Sequence, residues 1–547
     1  MSDSTDTART VVDELARGGV RDAVLAPGSR SAPLALALHD ADAAGRIRLH
    51  VRVDERSAGF LALGLAKVSG RPVPVVTTSG TAVANLHPAV LEAHHAGIPL
   101  AVLSADRPAH LRGTGANQTT DQVKIFGSSV RLFADCERAD RSLVARALAA
   151  ATGRGGPPGP VHLNLQLDEP LLPDDVTDPK AWPPGRDEDA PWTEVVVMPP
   201  PTPVVLESGR RTVVVAGDSA GPPARMLAER GGWPLLAEPS SGSRTGSHAL
   251  GAYRLLLDAP ELGGRVERAI VYGHPTLSRQ VNRLLSRNEV EIVVVSSSGT
   301  WPDPGLQADR VVPAATIMDP TDDGTWLQLW RAADSRAQAA IAACLDAEPQ
   351  LTPYEVARVM SQAVPPRGLL VVGSSHPIRD LDLMAVAPPV GHRRKVVANR
   401  GVSGIDGMVS TAIGAALGRD SSRSLAYLGD LTFLHDSNGL LIGPDEPRPD
   451  LTIVVANDDG GSVFSVLEQG DERFAGSFER VFGTPTRADL AALCAAAGIP
   501  HTRVDALEPL TEALDREVSG IEVIEVRLDR TDRRGLDIRL RATVAHG

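Results

Sequence analysis

The residues best suited to chemistry are carboxylates that follow two predicted strands in the last third of the chain. The apolar strand Leu425–Leu428 runs into Gly429 and Asp430. About 27 residues later, the strand Leu451–Val455 leads into the segment Asn457–Gly461, which reads NDDGG. In an open parallel sheet, ligands bind outside the carboxyl ends of the strands, so these carboxylates could converge on one cation. Magnesium prefers oxygen ligands, commonly one or two carboxylates together with phosphate oxygens and water.

Both segments also have a purely structural interpretation. Asp430 could cap a helix that continues to Ile442, and Asn457–Gly461 could form a tight turn. For either segment alone, the structural interpretation is favoured. Their pairing across one strand–helix–strand unit favours a cation site, with the glycine amides available to cradle phosphates.

A third carboxylate of interest lies in the first part of the chain. Asp54 and Glu55 stand between the predicted strand Leu49–Val53 and the mostly apolar predicted helix Arg56–Val68. Glu55 could simply interact with the positive end of that helix. Alternatively, a carboxylate buried at the mouth of a helix could share a proton with a nitrogen atom of a ligand.

The elements that must position these residues alternate between short apolar strands and helical stretches. This alternation predicts an α/β fold of parallel sheets with helices on both faces. A proline- and acid-rich stretch from Pro173 to Pro201 is typical of a semi-rigid linker, and a second break falls near residues 347–350. We therefore predict three doubly wound parallel-sheet domains, at residues 1–185, 186–350 and 351–547, with the linker at the start of the second. The remaining predicted strands are Ala23–Ala26, Val73–Thr77, Leu100–Ser104, Val161–Leu165, Thr212–Val215, Ala269–Tyr272, Glu291–Val295, Gly368–Val372, Val396–Ala398 and Ile521–Val526.

Composition narrows the class of protein. The 547 residues are 42% hydrophobic and 22% charged, which excludes global disorder and suits several packed cores. The net charge of −13 argues against a general nucleic-acid binder. No run of 18 apolar residues occurs and the N-terminus is polar, so we expect neither membrane insertion nor a signal peptide. The three cysteines are far apart, which predicts a cytoplasmic protein without a disulfide framework.

The motifs together resemble a known superfamily. Gly429-Asp430 and the segment Asn457–Gly460 resemble the metal and diphosphate signature of thiamine-diphosphate-dependent enzymes, which begins with GDG and ends with NN. Glu55 stands where that superfamily keeps the glutamate that activates the coenzyme. Further segments narrow the resemblance to the carboligases of menaquinone biosynthesis: Ala26–Ser31, Thr77–Asn85, Ala105–Pro108, Gly115–Thr119 and Asn399–Gly407.

This resemblance implies a fold, an activity and an assembly. The three domains would bind the coenzyme's pyrimidine, form a middle domain and bind the coenzyme's diphosphate, in that order. The chain would be a homodimer or homotetramer whose active sites lie between the first domain of one subunit and the third domain of its neighbour. With thiamine diphosphate and Mg²⁺ (or Mn²⁺), it would decarboxylate 2-oxoglutarate and add the remaining succinyl unit to isochorismate by conjugate addition.

The resemblance also implies roles for individual residues. Glu55 is the expected catalytic residue, because it would hydrogen-bond the aminopyrimidine ring, and Ile405 would hold the coenzyme in its bent conformation. The expected cofactor-binding residues are Glu55, Gly80, Ile405, Gly429, Asp430, Asn457, Asp458, Gly460, Gly461 and Val463, with Asp430, Asp458 and Gly460 as metal ligands. The expected substrate-binding residues are Ser29, Arg30, Arg107, Asn117 and Gln118 for isochorismate, Ser375, Arg379 and Arg400 for carboxylates derived from 2-oxoglutarate, and Arg279, Phe464 and Leu467.

The sequence departs from the superfamily pattern at three places. Leu431 replaces the second glycine of GDG, and Asp458 replaces the second asparagine of NN, so a shift of one residue would exchange Asn457 and Asp458 as the metal ligand. A basic pair expected in the middle domain is reduced to Ser278-Arg279. Val463, Phe464 and Leu467 could equally be core residues.

Two other functions stay open at this point. A pyruvate enzyme resembling acetolactate synthase or a 2-oxoacid decarboxylase would need no set of arginines, and many acetolactate synthases carry a yellow flavin. A non-catalytic subunit that binds thiamine diphosphate would have no use for Glu55.

Overall fold

A computed structural model describes residues 3–173, 182–186, 189–196, 199–318 and 324–546. It contains two six-stranded sheets and one five-stranded sheet, in which every strand pair is parallel, and these sheets alternate with helices along the chain. The predicted α/β class is confirmed. No helix in the described part of the chain combines the length and apolar composition needed to cross a membrane. Parts of the predicted linker, residues 174–181, 187–188 and 197–198, lie outside the described residues.

The first sheet has the strand order β2-β1-β3-β4-β6-β5. Its interior strands are apolar on both faces because helices cover both sides, as parallel sheets require. The strands are β1 Asp22–Leu25, β2 Arg48–Val51, β3 Val73–Thr77, β4 Leu100–Asp106, β5 Leu132–Cys136 and β6 Val161–Gln166. The helices are α1 Asp3–Arg17, α2 Ala32–Ala43, α3 Glu55–Ser69, α4 Thr81–Ala84, α5 His87–Ala96 and α6 Arg141–Ala151.

The middle sheet has the order β12-β11-β10-β8-β9, and a separate two-stranded sheet pairs β13 with β7. The strands are β7 Val204–Val205, β8 Thr212–Ala216, β9 Leu235–Ala237, β10 Arg268–Tyr272, β11 Glu291–Val295, β12 Ala308–Val312 and β13 Ala315–Thr316. The helices are α7 Pro222–Gly231, α8 Tyr253–Leu256, α9 Arg279–Leu285 and α10 Thr325–Asp346.

The third sheet has the order β15-β14-β16-β17-β19-β18. Its strands are β14 Leu369–Val372, β15 Lys395–Val397, β16 Ser424–Gly429, β17 Leu451–Asn457, β18 His501–Val504 and β19 Ile521–Arg527. The helices are α11 Pro353–Ala363, α12 His376–Met384, α13 Met408–Leu417, α14 Asp430–His435, α15 Ala475–Phe478, α16 Leu490–Ala496, α17 Leu507–Asp515 and α18 Arg533–His546.

By packing, the chain forms two compact units. The first unit comprises Met1–Met198, Gly401–Asp420 and His435–Pro449, and the second comprises Pro199–Arg400, Ser421–Leu434 and Asp450–Gly547. The middle and third sheets both belong to the second unit. Each large sheet draws its strands from one of the three predicted domains, whose boundaries stay a prediction.

Within the first unit, α13 packs closely on α3. A Cβ atom at Gly64 would overlap the carbonyl oxygen of Thr411, and one at Gly414 would overlap the carbonyl oxygen of Leu61. The two helices therefore touch backbone to backbone at these glycines, a separation that no larger residue permits.

One predicted element is too long. The helix expected from Asp430 to Ile442 ends at His435, and a 3₁₀ turn, Ser437–Leu440, follows it. The segment after His435 reads DSNG, and such residues favour turns over helix interiors because their side chains compete for backbone hydrogen bonds. The carboxylate of Asp436 instead accepts a hydrogen bond from the backbone N–H of Ser410 at 2.7 Å.

Candidate active site

Two carboxylates meet at the carboxyl ends of neighbouring strands in the second unit. Gly429 pairs with Ala456 in the register of β16 and β17, and Asp430 and Asp458 each come directly after the last residue of their strand. The Asp430 carboxylate accepts hydrogen bonds from the backbone N–H groups of Leu431 and Gly460. Burial, and then the charge of Asp458, raise the pKa of Asp430 to about 7.

Asp458 is in a similar environment. Burial raises the pKa of its carboxyl to about 6, while a hydrogen bond from Ser462 and the charges of Arg533 and Arg530 act in the opposite direction. Two buried carboxylates with raised pKa values, of which the charge of Asp458 acts on Asp430, fit a divalent cation, because the cation would stabilise both charges. Within the described ranges, no group of three or more His, Cys, Asp or Glu side chains could hold a metal, so further ligands here would be carbonyl, phosphate or water oxygens.

Asn457 is engaged elsewhere. Its side-chain amide donates to Oε1 of Glu525 at 2.8 Å, and its oxygen accepts from the backbone N–H of Asp459 at 3.0 Å. Both polar atoms of the Asn457 side chain thus have partners within the protein, whereas the charge of Asp458 acts on Asp430. Gly460 has a φ of 149°, and a Cβ atom there would overlap the carbonyl oxygen of Gly483, so only glycine suits the position.

A group of arginines lies in the same unit. Arg379, on the first turn of α12, donates to the carbonyl oxygen of Ser375 at 2.7 Å. Its pKa is lowered by burial and by the positive charges of Arg400, Arg254 and Arg279, against the opposing charge of Asp380. Such a concentration of positive charge is suited to carboxylate groups of a ligand, which would offset it.

A cavity of about 520 Å³ brings several predicted residues together. Arg279, Arg379, Val463 and Leu467 line it, so two predicted basic residues and two predicted apolar residues share one space. Phe464 packs instead against the ring of Phe482, with 5.7 Å between ring centroids.

The guanidinium of Arg279 is held at the edge of this region. It forms two hydrogen bonds with the carboxylate of Glu468, at 2.6 and 3.1 Å, and both side chains are exposed. Glu468 was not among the predicted site residues.

The first unit contains the residues that were predicted to bind isochorismate. Arg107 donates to Oγ of Ser79 at 2.6 Å and to the carbonyl oxygen of Asn117 at 2.8 Å. Burial, followed by the charge of Arg30, lowers the pKa of Arg107, so the two guanidinium groups are near each other. The side chain of Gln118 donates to the carbonyl oxygen of Ser79 at 3.1 Å.

A buried polar network lies beneath this set. Gln122 accepts from the backbone N–H of Gly80 at 2.9 Å and donates to the side chain of Asn164 at 2.8 Å. Asn164 in turn donates to Asp106 at 2.8 Å. Neither Gln122 nor Asn164 was among the predicted site residues. The signal for Asn164 is the alternation of polar residues in β6, which reads VHLNLQ, because polar side chains in a buried strand indicate such a network.

Glu55 is the first residue of α3. Asp54 caps this helix by accepting from the backbone N–H of Ser57 at 3.1 Å, and the side chain of Asn85 donates to Oε2 of Glu55 at 3.4 Å. Glu55 is half-buried at the start of a helix in which every residue from Ser57 to Ala66 is buried.

Ile405 lies in a loop whose first residues are hydrogen-bonded to α5. The carboxylate of Glu92, on α5, accepts from the backbone N–H groups of Gly401 and Val402, both at 2.8 Å. Ile405 itself is half-buried.

Comparison with known proteins identifies the family. The family model for the N-terminal TPP binding domain of thiamine pyrophosphate enzymes matches residues 5–125, and the model for the C-terminal TPP binding domain matches residues 383–526. A 2-succinyl-5-enolpyruvyl-6-hydroxy-3-cyclohexene-1-carboxylate synthase from Nocardioides sp. is 56% identical over 98% of each chain. The chain belongs to this synthase family. Synthases of the same name from Kineococcus radiotolerans (52% identical, 96% of each chain) and Saccharopolyspora erythraea (48%, covering 100% of this chain and 99% of the relative) agree.

Membership of the synthase family confirms the resemblance drawn from the motifs, and it leaves the roles of individual residues as predictions. The predicted residues fall into two groups, one in each unit. The first unit holds Ser29, Arg30, Glu55, Gly80, Arg107, Asn117, Gln118 and Ile405, and the second holds Arg279, Ser375, Arg379, Arg400, Gly429, Asp430, Asn457, Asp458, Gly460, Gly461, Val463, Phe464 and Leu467.

Proposed function

We propose that this chain is a transferase that decarboxylates 2-oxoglutarate and adds the succinyl unit to isochorismate, with thiamine diphosphate and a divalent metal, in menaquinone biosynthesis. The product is 2-succinyl-5-enolpyruvyl-6-hydroxy-3-cyclohexene-1-carboxylate. The observation that carries the proposal is likeness over essentially the full length, at 46–56% identity, to eight synthases of that name.

The second unit would hold the diphosphate end of the coenzyme. Asp430, Asp458 and the carbonyl oxygen of Gly460 would bind Mg²⁺ or Mn²⁺, and the metal would offset the negative charge of the diphosphate. The backbone amides near Gly429 and Gly461 would lie beside the same phosphates. When bound, thiamine diphosphate supplies a carbon nucleophile that attacks a keto group and takes up the electrons released by decarboxylation.

The first unit would hold the pyrimidine end of the coenzyme. A carboxylate of Glu55 hydrogen-bonded to a pyrimidine ring nitrogen would exchange a proton with that atom, and Asn85 would keep the carboxylate oriented. Ile405 would contact the coenzyme from a loop whose first residues, Gly401 and Val402, are hydrogen-bonded to Glu92.

The arginines would recognise the two substrates, each of which carries two carboxylates. Ser375, Arg379 and Arg400 would bind the carboxylate of the 2-oxoglutarate side chain, with Arg279, Phe464 and Leu467 beside it. Ser29, Arg30, Arg107, Asn117 and Gln118 would bind isochorismate. Charge-assisted hydrogen bonds of this kind orient reactants as well as bind them, which lowers the entropic part of the barrier.

We further propose that the protein is a cytoplasmic homodimer or homotetramer, in which the first-unit residues of one chain complete a site with the second-unit residues of another. Each unit alone carries only part of the predicted set, which is the support for a shared site.

The test is to follow isochorismate consumption by the purified protein with thiamine diphosphate and Mg²⁺, in the presence and absence of 2-oxoglutarate. Consumption that requires 2-oxoglutarate and the coenzyme, with release of CO₂, is the expected result. Release of CO₂ from pyruvate without isochorismate consumption would retain the coenzyme and overturn both substrates. Binding of the coenzyme without any turnover would indicate a non-catalytic subunit.

A further inference from the structure

The middle sheet presents two polar residues at the carboxyl ends of its strands. Glu238 immediately follows β9, and Thr276 lies in the loop between β10 and α9. β9 and β10 both pair with β8, so these residues lie at the same edge of one parallel sheet, where such sheets bind ligands.

Glu238 fixes the loop that carries Thr276. Its Oε1 atom accepts from the backbone N–H groups of Thr276 and Leu277, at 2.7 and 2.9 Å, and its Oε2 atom accepts from the hydroxyl of Thr276 at 3.4 Å. Only 2% of Glu238 is exposed. A buried carboxylate with three donors from two successive residues is a rigid support for that loop.

The hydroxyl of Thr276 connects this support to Arg400. It accepts from Nε of Arg400 at 2.9 Å, while the carbonyl oxygen of Thr276 accepts from Nη2 of the same arginine at 3.3 Å. Ser374 lies 3.5 Å from the Nη1 atom. Arg400 is also 2% exposed, and two of its three guanidinium nitrogens contact Thr276.

The same contacts place Arg400 beside the other predicted carboxylate-binding arginine. Its charge contributes to the lowered pKa of Arg379, which lines the cavity in this unit. The planar guanidinium binds a carboxylate well only in a defined orientation. A side chain that sets this orientation can therefore change substrate affinity without touching the substrate.

We propose that Thr276, supported by Glu238, is a positioning residue that orients Arg400 toward the carboxylate of 2-oxoglutarate. The inference rests on the proposed function and goes beyond it, because it gives the middle sheet a part in substrate affinity. This contribution does not depend on Arg279, the residue of the middle domain that the sequence predicts to bind substrate.

The experiment compares steady-state kinetics of wild-type holoenzyme with Thr276→Val, Thr276→Ser and Glu238→Gln. Thr276→Val removes the hydroxyl at nearly constant volume, and we expect the KM for 2-oxoglutarate to rise about tenfold, the scale of one hydrogen bond to a charged group. The KM for isochorismate and the affinity for thiamine diphosphate should not change. Thr276→Ser keeps the hydroxyl and should restore most of the affinity, and Glu238→Gln should raise the same KM.

A matched control uses a second buried threonine–arginine contact in the middle sheet. Thr212, at the start of β8, accepts from Nε of Arg268 at 3.1 Å, at the opposite end of the strand. Thr212→Val should leave the KM for 2-oxoglutarate within about twofold of wild type.

The possible failures are distinguishable. If wild-type protein uses 2-oxoglutarate but Thr276→Val and Glu238→Gln leave its KM unchanged, the inference is wrong and the proposed function stands. Equal increases in the KM for both substrates, or the same increase with Thr212→Val, would assign Thr276 a purely structural role and also overturn the inference. A wild-type protein that does not use 2-oxoglutarate overturns both.

Discussion

At the scale of single residues, the predicted chemistry depends on charged side chains that stand directly after the ends of strands. The sequence predicted that Asp430 and Asp458 would meet, because each follows a strand and parallel strands end at one edge. It could not predict that Asn457 would bind Glu525, which lies 68 residues away on β19. The hydrogen bond between Arg400 and Thr276 joins residues that are 124 positions apart and that follow strands of two different sheets, so no local sequence pattern predicts it.

Replacement of Glu55 should remove catalysis and spare binding. Glu55→Gln keeps the size of the side chain and removes its ability to exchange a proton, so we expect turnover to fall by at least about 100-fold. The affinity for thiamine diphosphate, measured by calorimetry, should fall far less. Glu508→Gln is a matched control, since Glu508 is an exposed glutamate on the first turn of α17. Full turnover in Glu55→Gln would contradict the catalytic assignment.

The metal ligand can be identified by comparing adjacent carboxylates. Asp458→Asn should weaken Mn²⁺ binding at least about tenfold, because it removes one of the two proposed carboxylate ligands. Asp459→Asn makes the same change of charge one residue away, where the side chain accepts from the backbone N–H of Arg487 at 2.9 Å, and it should have little effect. The electron paramagnetic resonance signal of free Mn²⁺, in the presence of thiamine diphosphate, measures both affinities. Equal effects of the two substitutions would refute Asp458 as the ligand.

At the scale of elements, the sequence predicted every interior strand of the three large sheets. In these three sheets the strands it missed are β5, β9, β12 and β18, and each lies at an edge of its sheet. It also missed β7 and β13 of the two-stranded sheet. Interior strands of parallel sheets are buried on both faces and give continuous apolar runs. The edge strand β5, most of whose residues are only partly buried, mixes polar and apolar residues and lacks that signal. The edge strand β9 is buried and apolar but has only three residues, which is too short a run to stand out in the sequence.

The contact between α3 and α13 gives a test of packing. Alanine stabilises an exposed helix by about 1 kcal/mol relative to glycine. Gly64→Ala should instead lower the free energy of unfolding by about 1–3 kcal/mol, because the new Cβ overlaps the carbonyl oxygen of Thr411. Gly156→Ala, at a glycine with open space around it, should be close to neutral. Chemical denaturation measures both, and stabilisation by Gly64→Ala would show that the helices are not in close contact there.

A histidine in β6 should make the protein sensitive to acid. His162 is fully buried, with its Nε2 atom 2.7 Å from Oγ of Ser104, and burial lowers its pKa from 6.5 to about 3. The unfolded chain therefore takes up a proton near pH 6.5 that the folded chain does not. The stability is fully present above that pH and declines as the pH falls toward about 3.

The contribution of His162 can be isolated by substitution. Between pH 6 and pH 5, this one group should remove about 1 kcal/mol of stability. His162→Gln keeps a polar contact for Ser104 and does not titrate, so its free energy of unfolding should decline less over that interval. Urea denaturation at the two pH values gives the comparison, and parallel declines in the two proteins would rule out this role.

At the scale of the whole molecule, the predicted residues divide between two units, and the proposed sites draw on two chains. Glu55 belongs to the first unit, whereas Asp430 and Asp458 belong to the second. A chain with Glu55→Gln and a chain with Asp458→Asn are each expected to be inactive alone. If sites form between chains, a mixed dimer has one site with both defects and one site with neither.

Co-expression of the two variants with different affinity tags tests this arrangement. Random pairing makes half of the dimers mixed, each with one intact site of two, so about a quarter of wild-type activity should return. Purification through both tags in succession should raise the value to about half, because every dimer is then mixed. A double variant, Glu55→Gln with Asp458→Asn on one chain, co-expressed with wild type, is the control: its mixed dimers have two defective sites. Mixed dimers of the two single variants that stay inactive would instead mean that each chain builds its active site from its own two units.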